Sequence, residues 1–291
     1  MTTSWQLSEG DEIAPGLLAM SRLGGGRAYE AYLAWSERLH VHVVAKVVRP
    51  DQVEDPGTLR GLRREVAMLE RLDHPVVVRA FGAVLDGPRP HVVLEHLDGP
   101  RLSSLLRRHG PLPLEQLLPL ALQICSALHY LAGEDVVHLD VKPSNVIMGS
   151  TPRLIDLSIA RTRAEAAALD HLVGTDDYLA PEQCDPPATG QPGPPADVWG
   201  LGATLFRAAS GRLPFDVAGA SHRTGQDRWP QLTEPPAALS RHLPDALVKP
   251  VLTCLDRDPG ARPSAAELAA ELEPLVAALP KPVLGGVRTR R

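Results

Sequence analysis

Residues 138–145 contain the side chains whose types and spacing are best suited to chemistry. They read His-Leu-Asp-Val-Lys-Pro-Ser-Asn, which sets the carboxylate of Asp140 shortly before the amide of Asn145. A carboxylate can accept the proton of an attacking hydroxyl, and an amide oxygen can help to hold Mg²⁺. The pair therefore indicates a site for phosphoryl transfer, in which a base and a metal ligand must lie close together.

A single lysine, Lys46, interrupts the apolar run of residues 43–48. Burying an unpaired ammonium group is costly, so Lys46 needs an anionic partner unless its head group reaches solvent at a sheet edge. Glu65 lies on an amphipathic helical pattern further along the chain and could form an ion pair that orients Lys46 onto phosphates. The alternative for Glu65 is an ordinary position on a solvated helix face.

Two further segments could bind phosphate and metal. Residues 23–29 read Leu-Gly-Gly-Gly-Arg-Ala-Tyr, and their glycines would let backbone amides approach phosphates, although an ordinary hairpin turn has the same composition. Tyr29 stands where a G-x-G-x-x-G pattern has its third glycine. Asp156 ends an apolar strand pattern and could chelate Mg²⁺, or it could simply begin a turn.

The periodicity of the chain divides the elements that position these residues into two groups. Residues 16–97 are mostly short apolar runs typical of strands, with one helical pattern over residues 57–72. After Gly99 the pattern is helical, over residues 102–108, 114–132, 196–210, 244–255 and 264–279. We therefore expect an N-terminal extension (1–15), a strand-rich part (16–97), a helical part (98–279) and a basic tail (280–291).

Composition restricts the function classes. The chain has 291 residues and a net charge of -5, which argues against a generally nucleic-acid-binding surface. Its three cysteines are scattered, as is typical of a reducing compartment rather than a disulfide framework. The N-terminus has no signal pattern, and the best apolar run, residues 117–125, is too short to span a bilayer. We expect a cytoplasmic protein without a membrane or nucleic-acid partner, of undetermined oligomeric state.

Residues 174–182, Gly-Thr-Asp-Asp-Tyr-Leu-Ala-Pro-Glu, complete an ordered series of motifs, and over residues 16–279 the chain resembles eukaryotic-like protein serine/threonine kinases of bacteria. Two segments extend the resemblance. Asp197 begins a stretch similar to the buried central helix of that family, and Arg262 matches the arginine that pairs with Glu182. The resemblance implies an α+β, bilobal protein-kinase fold, with a small β-rich N-lobe carrying one main helix and a larger, mainly helical C-lobe.

The resemblance also implies individual roles. Lys46, paired with Glu65, would hold the α- and β-phosphates of ATP. Asp140 would act as the base and Lys142 would stabilise the transferring phosphoryl group. The residues expected to hold Mg²⁺ or Mn²⁺ are Asn145 and Asp156. The residues expected around ATP are Leu23, Gly24, Gly25, Gly26, Ala31, Ala45, Lys46, Leu94 as gatekeeper, the backbone from Glu95 to Leu97, and Ile147. Lys142 and Thr175 together favour a protein substrate that offers Ser or Thr.

Three residues depart from the family pattern. In many relatives a phosphate on the activation segment neutralises the charge of an arginine, and Leu139 replaces that arginine here. The activation segment of this chain, residues 158–175, offers few hydroxyls. We therefore expect activity without phosphorylation of that segment. Ser158 replaces a glycine, which makes positive φ less accessible there and disfavours an inactive flip of Asp156. The bulk of Tyr29 could weaken ATP binding or slow nucleotide exchange.

These departures leave a second hypothesis open, in which the chain is a pseudokinase that binds nucleotide or a partner as a scaffold. Retention of Lys46, Asp140, Asn145 and Asp156 counts against it. A third hypothesis, a kinase of small molecules, fits poorly because such relatives lack residues 174–182 and the downstream Arg262.

Overall fold

The structure is a computed structural model that describes residues 3–215 and 228–280. Its first part is a sheet of six antiparallel strands in the order β1-β2-β3-β4-β6-β5. The strands are β1 (Glu12–Ala14), β2 (Leu17–Gly25), β3 (Tyr29–Ser36), β4 (Val41–Val48), β5 (Ala80–Val84) and β6 (His91–Glu95). One long helix, α1 (Pro56–Arg71), connects β4 to β5. The strand-rich half with one main helix is thus confirmed.

Local sequence explains where α1 begins and which side it buries. The Asp55 side chain accepts a hydrogen bond from Thr58 N at 2.6 Å, and Pro56 occupies the first turn, where its missing N–H is not needed. The buried apolar side chains of the helix are Leu62, Val66, Met68 and Leu69. Glu65 lies among these buried residues, a position that a carboxylate tolerates only with a partner.

The second part is mainly helical. Its helices are α2 (Leu102–His109), α3 (Leu114–Gly133), α4 (Arg163–Ala167), α5 (Pro181–Cys184), α6 (Pro186–Thr189), α7 (Pro194–Ser210), α8 (Asp245–Thr253) and α9 (Ala265–Ala277). The α7 helix is buried along most of its length, including Trp199 and Phe206, as expected for a helix that other elements surround. Ser264 and Glu267 form the predicted capping box at the start of α9. Among the described residues, no helix has the length and apolar content to cross a bilayer.

The segment before β1 packs against the sheet. Trp5 Nε1 donates a hydrogen bond to Val48 O at 2.7 Å, and Arg49 Nη1 donates to Thr3 O at 3.0 Å. The same Arg49 atom lies 3.0 Å from a carboxylate oxygen of the fully buried Glu30. Residues 3–15, which the sequence set apart as an extension, therefore contribute a strand and a polar cover to the sheet. Residues 281–291 of the predicted basic tail lie outside the described residues.

A buried ion pair connects α5 to the segment before α9. Arg262 Nη1 and Nη2 donate to the two carboxylate oxygens of Glu182 at 2.7 and 2.8 Å. Neither side chain has exposed surface, and the Arg262 guanidinium lies 4.9 Å from the centroid of the Trp199 ring. A paired guanidinium and carboxylate satisfy each other in this setting, whereas either one alone would be a buried, uncompensated charge.

We expect Arg262→Ala to lower the free energy of unfolding by about 3–5 kcal/mol, because Glu182 would keep its charge without a partner. Urea denaturation followed by tryptophan fluorescence measures the loss. The control is Arg63→Ala, which breaks an ion pair with the 85% exposed Asp86 and should cost at most about 1 kcal/mol. Equal losses in the two variants would contradict the assigned role of the buried pair.

Candidate active site

Lys46 joins the sheet, α1 and the segment that contains Asp156. Its Nζ lies 2.8 Å from both carboxylate oxygens of Glu65 and 2.9 Å from Asp156 Oδ1. Burial alone would lower the pKa of Lys46, but the two carboxylates raise it above its ordinary value. Lys46 is therefore a charged group paired with two carboxylates. These are the anionic partners that a lysine in an apolar strand requires.

The two carboxylates differ in environment. Burial raises the pKa of Glu65 above its ordinary value, and Lys46 offsets only part of that effect. Burial also opposes ionisation of Asp156, but Lys46 and a hydrogen bond from Ser158 hold the pKa of Asp156 well below its usual range. The Asp156 side chain is 39% exposed, while that of Glu65 is 1% exposed. Asp156 is thus the carboxylate that a ligand from solvent can reach.

Short strands place residues 138–145, the catalytic loop, next to Asp156. The strands are β7 (Val136–Val137), β8 (Val146–Met148), β9 (Pro152–Leu154) and β10 (Arg161–Thr162). Residues 138–145 fill the connection from β7 to β8, and the β8–β9 hairpin turns the chain back so that Ile155 N donates to Asn145 O at 2.9 Å. Asn145 and Asp156 consequently lie on adjacent backbone segments, as two ligands of one cation would need to do.

Three side chains surround the carboxylate of Asp140. Lys142 Nζ lies 2.6 Å from Oδ2, and Asn145 Nδ2 donates to the same oxygen at 2.9 Å. Thr175 Oγ1 donates to Oδ1 at 2.8 Å and accepts a hydrogen bond from Lys142 Nζ. The structure therefore brings together the predicted base, the predicted lysine and the threonine of residues 174–182.

The backbone of the catalytic loop is fixed by a carboxylate of α7. Asp197 accepts hydrogen bonds from His138 N at 2.8 Å and Leu139 N at 2.7 Å. Burial raises the pKa of Asp197 to about 6. Leu139 has φ 65°, a left-handed conformation that is unusual for a branched side chain. The two hydrogen bonds help to hold this strained backbone, which turns Asp140 into the site.

The end of the activation segment is held against Leu139. Gln183 Nε2 donates to Leu139 O and to Val173 O, both at 3.1 Å. Gly174 has φ 122°, and a Cβ there would lie 2.9 Å from Leu139 O, so only glycine fits. Gln183 was not predicted as a site residue, because a glutamine after a Pro-Glu pair gives no local sign of a long-range contact.

One face of the sheet carries three of the residues predicted to surround ATP, namely Ala31, Lys46 and Leu94. Cross-strand pairing sets Ala31 opposite Lys46 and Leu94 opposite Val44, so all four lie on the same face. Leu23, Gly24 and Gly25 lie at the end of β2, and Gly26 follows them. Glu95 ends β6, Leu97 follows it and Ile147 lies on β8.

Ala45 is the exception and corrects one expectation. Side chains of a strand alternate between faces, and Ala45 packs with Tyr32, Val43 and Val47 in the core on the opposite face from Lys46. It therefore does not lie on the face that carries Lys46, and Val44 occupies the position expected for it. The run of residues 43–48 is apolar on both faces of β4, so hydrophobicity alone did not show which neighbour shares the face of Lys46.

Comparison with known proteins agrees with this geometry. The protein kinase domain family matches residues 18–272, and the chain belongs to that family. It is 30% identical over 287 residues to the serine/threonine-protein kinase PknB of Mycobacterium tuberculosis, which covers 94% of this chain and 44% of the relative. It is 34% identical over 241 residues to the serine/threonine-protein kinase PkaA of Streptomyces coelicolor, covering 78% and 42%. The chain spans less than half the length of these relatives.

The predicted resemblance to bacterial serine/threonine kinases and the predicted bilobal fold are thereby confirmed. The roles of individual residues remain predictions, as do the domain boundaries.

The paired charges at Lys46 predict how a Lys46→Met variant responds to pH. Without Lys46 the pKa of buried Glu65 should rise further above its unfolded value, so the folded variant binds a proton that the unfolded chain releases. Stability is then lost as pH rises towards the folded pKa. Between about pH 5 and pH 8 we expect the variant to lose about 1–3 kcal/mol more unfolding free energy than the wild type does.

Chemical denaturation at a series of pH values tests this expectation. The control is the double variant Lys46→Met/Glu65→Gln, in which the titrating carboxyl is absent and the extra pH dependence should disappear. Parallel stability curves for Lys46→Met and the wild type would show that Lys46 does not set the ionisation of Glu65.

Proposed function

We propose that this chain transfers the γ-phosphate of ATP to Ser or Thr hydroxyls of protein substrates. The observation that carries the proposal is the hydrogen bond from Thr175 Oγ1 to Asp140 Oδ1 at 2.8 Å. It is a contact between an alcohol and the carboxylate proposed as base, at the distance that proton transfer from a substrate hydroxyl requires. The names of the bacterial relatives support the same class of activity.

The sheet face that carries Lys46 is the proposed ATP surface. Ala31, Val44 and Leu94 offer apolar contacts for an adenine ring, and the backbone of residues 95–97 offers its polar groups. Glycines 24–26 would cover the phosphates through backbone amides. Lys46 would bind the α- and β-phosphates while Glu65, which is buried, keeps it in place.

Asn145 and Asp156 fit a divalent cation. The amide nitrogen of Asn145 donates to Asp140, which leaves the amide oxygen as the atom for a cation, and Asp156 presents a partly exposed carboxylate. Hard oxygen donors of this kind suit Mg²⁺ or Mn²⁺. A cation held there would neutralise charge on the phosphate oxygens. Lys142, between Asp140 and Thr175, would stabilise charge on the transferring group.

We also propose that the chain acts without phosphate on its activation segment. Leu139 is 3% exposed and packs in the core, where it presents no cation for a phosphate to neutralise. The contacts of Gln183 and the Glu182–Arg262 pair hold the end of the segment by other means. Ser158 helps to keep the pKa of Asp156 below its usual range, so this departure also supports an assembled site rather than a scaffold.

A reducing compartment, in keeping with the cytoplasmic setting that we propose, is supported by the cysteines. Cys125, Cys184 and Cys254 are free thiols in the part of the chain that the structure describes. Burial raises the pKa of Cys125 to about 12, which keeps its thiol protonated and unreactive. Neither feature is typical of a disulfide-stabilised extracellular domain.

The direct test is incubation of the protein with labelled ATP and Mg²⁺ or Mn²⁺, together with peptide libraries that fix Ser, Thr or Tyr at one position. We expect label on Ser and Thr peptides, and Asp140→Asn should lower the rate by about 10²- to 10⁴-fold because the base is lost. The control is Asp135→Asn, the same substitution at an exposed position nearby, which should keep full activity. Equal label with wild type and Asp140→Asn would end the proposal.

Independence from phosphorylation is tested separately. Protein treated with a broad-specificity phosphatase, with mass spectrometry to show that no phosphate remains, should retain its initial rate within about twofold, since Leu139 leaves no charge to neutralise. An untreated sample and Asp140→Asn set the upper and lower limits. Strict loss of activity after treatment, restored by incubation with ATP, would show that phosphate does activate the chain.

A further inference from the structure

Tyr29 connects the glycine-rich turn to α1. It is the first residue of β3 and stands where the family pattern has a third glycine. Its hydroxyl donates a hydrogen bond to Thr58 O in the first turn of α1 at 3.0 Å. Its ring lies under the charged end of Lys46, with Nζ 4.9 Å from the ring centroid. One side chain thus contacts both the helix that carries Glu65 and the lysine that Glu65 binds.

Helix α1 has a glycine, Gly61, next to this hydroxyl. A Cβ added at Gly61 would lie 3.3 Å from the Tyr29 hydroxyl, so any larger residue would crowd it. Glycine is among the least favourable residues for a helix interior, and α1 nevertheless has one at the position facing the ring. Burial raises the pKa of the Tyr29 hydroxyl to about 12, which keeps it protonated as a hydrogen-bond donor.

We propose that Tyr29 is a positioning residue that fastens the first half of α1 to the sheet and so keeps Glu65 on Lys46. This inference rests on the proposed function, in which the Lys46–Glu65 pair must be formed for phosphoryl transfer. Thr58 precedes Glu65 by about two helical turns, so a contact at Thr58 limits how far that half of the helix can swing. A glycine at position 29 has no side chain with which to make either contact.

The position of Tyr29 also bears on the earlier expectation that its bulk would hinder ATP. Because its hydroxyl is bonded to α1, the side chain is directed to the helix and its main effect should be on the position of Glu65. A positioning role and a direct effect on nucleotide predict different kinetics. The first lowers kcat with little change in the KM for ATP, and the second raises the KM.

The test compares Tyr29→Phe and Tyr29→Gly with the wild type by hydrogen exchange without nucleotide and by steady-state kinetics. Loss of one hydrogen bond in Tyr29→Phe should speed exchange of amides in the first half of α1 by about fivefold and lower kcat by about fivefold. The KM for ATP should stay within about twofold. Tyr29→Gly, which also loses the ring, should show larger changes in the same directions.

The matched control is Tyr130→Phe, which removes a hydroxyl bonded to Asp73 N near the other end of α1. It should leave the first half of α1 and kcat unchanged. Unchanged α1 exchange in both Tyr29 variants would overturn the proposal, and so would a raised KM for ATP at constant kcat. If the wild type transfers no phosphate, the proposed function fails, but the exchange data still decide whether Tyr29 fastens α1.

A second measurement uses Gly61. Gly61→Ala should raise the melting temperature in the Tyr29→Gly background, where the added methyl group meets no hydroxyl and alanine favours the helix. In the wild-type background the same substitution should give a smaller gain or a loss, because it crowds the Tyr29 hydroxyl. Equal effects in both backgrounds would show that the two positions are not coupled and would overturn the contact.

Discussion

The charge of Lys46 is the constraint on which the site depends. An ammonium in the middle of an apolar strand must be paired, and the chain supplies one carboxylate from α1 and another from the segment after β9. These two elements belong to different halves of the fold. Pairing them on one cation ties the halves together at the place where a nucleotide would bind. The position of α1 is therefore part of the electrostatic balance of the site as well as of its packing.

The same principle recurs in the helical half with different partners. Asp197 is buried at the start of α7 and its oxygens are satisfied by two backbone amides of the catalytic loop. Glu182 is buried at the start of α5 and is satisfied by Arg262. Each carboxylate accepts hydrogen bonds from a segment distant in sequence, so burying it fixes that segment. The catalytic loop and the end of the activation segment are positioned by the hydrogen bonds of these buried carboxylates more than by regular secondary structure.

Sequence was sufficient where a residue type had few physical solutions. Lys46 in a strand, Asp140 near Asn145, and Asp156 after a strand each require particular partners, and the structure places those partners in reach. The sequence was insufficient where two residues, or two directions of one side chain, were equally suited by polarity. The choice between Val44 and Ala45 depends on strand register, which is set by neighbouring strands. The direction of Tyr29 and the contact of Gln183 with Leu139 O depend on elements far along the chain, and so does the packing of Trp5 on the sheet.

Leu139 shows how a missing charge can be consistent with an assembled site. An arginine at position 139 would add a buried charge that needs an anionic partner, whereas the buried leucine adds packing to the core and no net charge. The backbone of Leu139 is itself held in position: its amide donates a hydrogen bond to Asp197, and its carbonyl accepts one from Gln183. Because these bonds involve the main chain, they are independent of the side chain at position 139. The backbone before Asp140 is thus held by two main-chain hydrogen bonds that need no charge at position 139.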